Sequence, residues 1–275
     1  MPRWVPVALA LAVLGISSGG VLAVLAEGVE PVPKAIWRTG LCALVLAPWW
    51  RRLPLRDLGL MALAGALLAA HFWTWFMSLE SISVMRSVVL VTLAPVWVGL
   101  AEWGLTGEAP SRRFWAGISI ALVGVVTMAW AGLGEANLTG DLLALVGGLF
   151  SSAYFLLGRN LRQRVHQATY AGMVSGFSAL WLLPVALGLG MPLTGYAVPS
   201  WAALVGLALL PQLLGHGGFS AALGHVKATR VATLVLLEPV GATLLAFLVL
   251  GQQPSGLELV GGVFILVGVG VGQKS

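Results

Sequence analysis

The chain has 275 residues, 59% of them hydrophobic and only 9% charged, with a formal net charge of +5 and a mean hydropathy of +0.95. A soluble domain carries about 25% charged residues, so this composition excludes one and places the chain in a bilayer as a single integral membrane unit. The basic residues sit in short clusters between apolar runs, which excludes nucleic-acid binding, and the lone Cys42 excludes an intrachain disulfide or a thiolate metal cluster.

Apolar runs bounded by charge, Pro and Gly predict ten transmembrane helices over residues 4–26, 33–50, 57–78, 81–104, 113–133, 139–158, 167–189, 198–222, 227–250 and 255–272. The first run follows Met1-Pro2-Arg3 directly and lacks a small-x-small cleavage site, so a retained helix is expected. Past its midpoint stand Ser17, Ser18, Gly19 and Gly20, which either let helices pack closely or offer hydroxyls to a ligand. The second helix opens on Pro31 and Pro33 and carries Lys34 at the interface. Arg38 lies a turn farther in, placed either to snorkel to the headgroups or to turn inward onto an anionic group such as a carboxylate.

The third helix bears His71, Phe72, Trp73, Trp75 and Phe76. Rings on a cavity wall stack on planar or apolar substrates, and an imidazole hydrogen-bonds a carboxylate or carries a proton. In the fourth helix Pro95, followed by Trp97, removes an N–H about ten residues in, which predicts a hinge or cavity wall near mid-membrane. The sixth helix puts Ser151, Ser152 and Tyr154 where the first has its serines, and the eighth carries His216 and Phe219. In the ninth, Pro239 repeats the hinge signal behind Glu238, a carboxylate that at that depth must face the bundle interior or water. Trp4, Trp49, Trp50, Trp103, Trp115, Trp130 and Trp201 read as interfacial belt residues. Gly117 and Gly124, with Gly261, Gly262, Gly268 and Gly270, read as tight helix contacts or a dimer face.

Residues 86–125 and 230–269, aligned at a constant offset of 144, are identical at 15 of 40 positions, including Arg86 with Arg230, Pro95 with Pro239, Gly107 with Gly251 and Pro110 with Pro254. This internal duplication divides the chain into two five-helix repeats, 1–134 and 135–275. Twelve Lys and Arg residues fall on one side of the ten-helix scheme and Lys34, Arg38 and Arg86 on the other, which puts both termini in the cytoplasm. Five helices being an odd number, the second repeat crosses in the opposite sense, the inverted arrangement that serves alternating access.

These features predict an all-α transporter with no catalytic residues, no cofactor and no metal. A channel needs a continuous polar ring, and a membrane enzyme needs a nucleophile beside its base; neither pattern is present. The candidate substrate-binding residues are Ser17, Arg38, His71, Trp75, Trp97, Tyr154, His216, Phe219 and Glu238, and the candidate hinges are Pro95 and Pro239. The expected partners are a small-molecule substrate and the lipid bilayer, with no nucleic acid, and the chain is expected as a monomer or weak homodimer.

Taken together, the Pro-rich approach to Arg38, the Pro95-Val96 step, Glu238-Pro239-Val240 and the endings Gly107-Glu108-Ala109-Pro110 and Gly251-Gln252-Gln253-Pro254 resemble an EamA-type permease of the drug/metabolite transporter superfamily, over nearly the whole length. Gln252 departs from a frequent Glu, and Leu14-Gly15 from a frequent Trp-Gly. The resemblance implies a bacterial inner-membrane exporter of small metabolites, most of all amino acids, with a central cavity between helices 1, 3, 4, 6, 8 and 9. Within that family the His71–Phe76 patch is similar to that of a YddG-like aromatic amino acid exporter. The alternative is a proton-coupled exporter of cationic drugs or other metabolites.

Overall fold

The computed structural model describes residues 2–107, 109–131 and 137–273. Glu108, Glu135, Lys274 and the boundary between residues 134 and 135 therefore lie outside the described residues. Among the described residues all regular structure is helical. Eight helical stretches are long and apolar enough to cross a membrane, spanning 4–25, 55–78, 84–105, 112–130, 138–162, 167–188, 198–223 and 228–250. The other two predicted runs form shorter helices of 16 and 17 residues. Large apolar side chains such as Leu44, Leu105, Trp130, Leu180 and Leu248 are exposed on the outside of the bundle, a surface that is stable only when the solvent is lipid.

In chain order the helices are α1 Trp4–Ser17, α2 Gly19–Leu25, α3 Pro31–Leu46, α4 Leu55–Ser78, α5 Val84–Val91, α6 Ala94–Thr106 and α7 Arg112–Ala131, then α8 Leu138–Arg162, α9 Gln167–Gly188 and α10 Val198–Leu207. A π-helical segment, Ala208–His216, leads into α11 Gly217–Leu223, and α12 Ala228–Val235, α13 Glu238–Leu250 and α14 Gly256–Gly272 follow. Local chemistry sets many of these ends. Pro31 starts α3 with its φ already helical. Ser83 and Asn137 accept backbone N–H groups as N-caps, and Ser255 and Glu258 form a reciprocal capping box. Gly107 and Gly251 close α6 and α13 at φ +72° and +68°, a left-handed geometry that glycine adopts without strain.

The structure revises several sequence expectations. The sixth helix was expected to end at residue 158 but runs to Arg162, because its basic residues stay helical and find partners: Arg159 on Glu102, and Arg162 on the Ser220 carbonyl. The eighth helix was expected to be uniform, yet its middle is π-helical, with Pro211 unable to donate to the ladder. The first breaks at Ser18, where Ser17 and Ser18 donate back to the Val13 and Gly15 carbonyls. The fourth stretch breaks at Thr92 and Leu93 and the ninth at Leu236 and Leu237, each just ahead of its proline and at positions equivalent under the 144-residue offset.

Of the glycines read as tight helix contacts or a dimer face, Gly117, Gly124, Gly261 and Gly268 make tight contacts within the chain, whereas Gly270 has open space around it. Gly117 packs on Gly268, and Gly124 on Gly261, so α7 and α14 touch backbone to backbone over a small core that includes Phe114, Ile118 and Ile265. A larger core joins α1, α4, α8, α9 and α11 around Leu68, Phe72, Phe155 and Phe219.

Candidate functional site

A cavity lies at the centre of this larger core, where the interrupted helices converge. It is lined by Ile16 from α1, Arg38 from α3, His71, Phe72 and Trp75 from α4, Val91 and Thr92 at the α5 break, Ser151 and Phe155 from α8, His216 from the π segment, and Val235 and Glu238 at the α12–α13 break. Its volume is about 20 Å³, room for one water molecule and far too little for a metabolite.

Five of the nine candidate binding residues, Arg38, His71, Trp75, His216 and Glu238, meet on this lining. The others stand behind it or apart from it. Tyr154 lies with its ring 6.1 Å from His216, and Phe219 sits edge-on to Phe155 at 6.3 Å. The Ser17 hydroxyl is engaged with its own helix and packs on Gly241. Trp97 is half-buried, and its buried indole N–H has no partner among the described residues. Pro95 and Pro239 are both buried and open the helices that follow the two breaks. The sequence reading named Phe72 in its aromatic patch without placing it among the binding residues, and it did not single out Thr92, Phe155 or Gln212. Hydropathy does not separate Phe72 or Phe155 from ordinary core.

Arg38 turned inward. The side chain is 1% exposed, and its guanidinium carbon lies 4.0 Å from the centre of the Phe72 ring and 5.7 Å from that of Trp75, both cation–π distances. Nε donates to Gln212 Oε1 at 3.1 Å, while the buried Nη1 has no hydrogen-bond partner among the described residues. Glu238 lines the same cavity at 5% exposure, at the first turn of α13, yet makes no ion pair with Arg38. A buried guanidinium and a buried carboxyl on one cavity without direct contact are costly when both are ionised, and a ligand carrying both signs offsets that cost at each end.

Two imidazoles share the lining with this pair. His71 Nδ1 donates to the Gly147 carbonyl at 2.9 Å, which leaves Nε2 as the free ring position, and the His71 and His216 rings are 5.8 Å apart. Trp75 stacks parallel to His71 at 6.4 Å, and Phe72 meets His216 edge-on at 5.2 Å. Among the described residues no group of three or more His, Cys, Asp or Glu side chains is disposed to hold a metal.

Comparison with known proteins places this geometry in context. The model of the EamA-like transporter family matches the chain twice, over residues 3–130 and 138–271. A probable terminal-alkyne amino-acid exporter of Streptantibioticus cattleyicolor is 28% identical, with 80% of this chain and 74% of that protein covered. The threonine/homoserine exporter RhtA of Salmonella typhimurium is 24% identical, over 94% of this chain and 88% of that protein. A solved crystal structure superposes with a TM-score of 0.84 at 19% identity, covering 100% of this chain and 98% of the other, a likeness of fold.

Proposed function

Since the chain belongs to the EamA-like transporter family, we propose that it exports amino acids with aromatic or other hydrophobic side chains across the bacterial inner membrane, by alternating access between two inverted five-helix repeats. The observation that carries this reading is the placing of Arg38 and Glu238 on one aromatic-walled cavity without a direct ion-pair contact between them. An α-carboxylate suits the buried guanidinium, an α-ammonium suits Glu238, and the side chain lies against Phe72, Trp75 and Phe155. Relatives named as amino-acid exporters agree with it.

The repeats comprise residues 1–134 and 135–275, with both termini cytoplasmic. Support comes from the reciprocal contact of α7 with α14: Gly117 faces Gly268, the equivalent of Gly124, and Gly124 faces Gly261, the equivalent of Gly117. Two helices that exchange equivalent positions in this way run antiparallel about a pseudo-two-fold axis. A cavity with room for a single water admits substrate only when the helices part, and the breaks ahead of Pro95 and Pro239 are the points at which they bend.

Proton-coupled export of a cationic drug is the second reading. Glu238 favours it, and the guanidinium of Arg38 on the same lining opposes it. Counterflow of labelled aromatic and aliphatic amino acids into proteoliposomes decides between the two. Uptake driven by unlabelled internal amino acid, lost in Glu238→Gln, is the expected result. Folded protein that shows no counterflow with any amino acid overturns the proposal.

A further inference from the structure

Gln212 has no counterpart in any sequence signal, yet it is the side chain on which Arg38 rests. It is 3% exposed and stands within the π-helical segment, behind the cavity lining. Its Oε1 accepts from Arg38 Nε at 3.1 Å, and its Nε2 donates to Ser175 Oγ at 3.1 Å on α9. A guanidinium only donates, so this chain of contacts settles which end of the amide is oxygen.

The backbone under Gln212 is itself held rigidly. A Cβ on Gly15 would lie 2.7 Å from the Leu210 carbonyl oxygen, and one on Gly215 would lie 2.9 Å from the Ile16 amide nitrogen, so α1 and the π segment touch main chain to main chain on either side of it. The segment cannot slide without displacing α1, which contributes Ile16 to the cavity.

The chemical nature of the support matters more than its position. An Asp or Glu in this place would pair with Arg38 and cancel its charge. A neutral amide fixes the plane of the guanidinium without adding a second counter-charge to that of Glu238 on the same cavity, and the buried Nη1 has no hydrogen-bond partner among the described residues. Gly19 packs beside that atom: a Cβ there would lie 3.7 Å from Nη1 and 3.3 Å from the Trp75 ring.

We propose that Gln212 is a positioning residue that sets carboxylate specificity, holding Arg38 toward the substrate's carboxylate without neutralising it. This rests on the amino-acid reading above. In Gln212→Glu an internal counter-ion replaces the substrate's carboxylate. The apparent KM for the free acid then rises at least tenfold while the maximal rate changes little, and an uncharged carboxamide of the same amino acid is affected much less. In Gln212→Met the guanidinium keeps its charge but loses its orientation, and the KM for the free acid rises alone.

The test is counterflow of labelled phenylalanine and leucine, and of their carboxamides, in proteoliposomes of wild type and both variants. Wild type is expected to favour the acids, with the acid-to-amide preference collapsing in Gln212→Glu and falling in Gln212→Met. If Gln212→Glu does not fold, Gln212→Met carries the test on the same ratio. A folded variant that keeps the wild-type ratio overturns this inference and leaves the amino-acid reading standing. Wild-type protein that moves neither class of compound sinks that reading, and this inference with it.

Discussion

Gly117 and Gly268 meet backbone to backbone: a Cβ on either would lie 2.5 Å from the carbonyl oxygen of the other. With no room for a methyl group, Gly268→Ala and Gly117→Val are expected to force α7 and α14 apart and to cost about 1–3 kcal/mol. Gly270, on the same helix but with open space around it, is the control, and Gly270→Ala leaves stability unchanged. Thermal midpoints of the detergent-solubilised protein check this, and a Gly268→Ala variant as stable as wild type contradicts it.

Arg38 lies against Phe72 and Trp75, with Gln212 as its one hydrogen-bond acceptor among the described residues. A lysine keeps the charge but lacks the planar fork and cannot stack in the same way. Arg38→Lys is therefore expected to raise the apparent KM of a carboxylate substrate by about tenfold, a loss of ~1.4 kcal/mol. Arg38→Met should abolish counterflow. Equal transport by Arg38→Lys and wild type would show that charge alone suffices.

Two ion pairs anchor α8 at its opposite ends. Asp141 accepts from Arg86 Nε at 2.6 Å and from Nη2 at 2.8 Å, with side-chain exposures of 11% and 19% for Arg86 and Asp141. Arg159 reaches Glu102 by a single contact at 2.7 Å and is 31% exposed. Asp141→Asn is expected to cost about 1.5–3 kcal/mol, as befits charged hydrogen bonds removed from water. Arg159→Gln should cost about 0–1 kcal/mol, an effect that salt diminishes. Chemical denaturation at low and high salt separates the two, and the reverse order of costs would refute the assignment.

Cys42 is buried at 1% exposure, so the unmodified chain is expected to resist a membrane-impermeant maleimide. Arg52 and Thr194 lie in exposed turns assigned to opposite sides of the membrane, which makes Arg52→Cys and Thr194→Cys a direct test of orientation. In intact cells Thr194→Cys should label and Arg52→Cys should not. Labelling of both from outside would overturn the proposed topology.

The sequence alone established the membrane class, because twenty-residue apolar runs have no stable place in water, and hydropathy is a property that each run carries by itself. It also located the two Pro breaks, since a missing N–H acts on its own helix whatever surrounds it. The family resemblance was legible for the same reason, in short motifs at constant spacing.

What depended on contacts between distant segments was decided only by the fold. Whether Arg38 would snorkel or turn inward hung on a glutamine 174 positions away and on the rings of another helix. The glycines of α7 and α14 carry no mark of whether they meet each other or a second copy of the chain. The π segment places Gln212 and His216 through backbone contact with α1, which no local pattern encodes. Residues that face lipid and residues that face a cavity are alike apolar, so the hydrophobic signal that identifies a membrane helix cannot say which side of it faces inward.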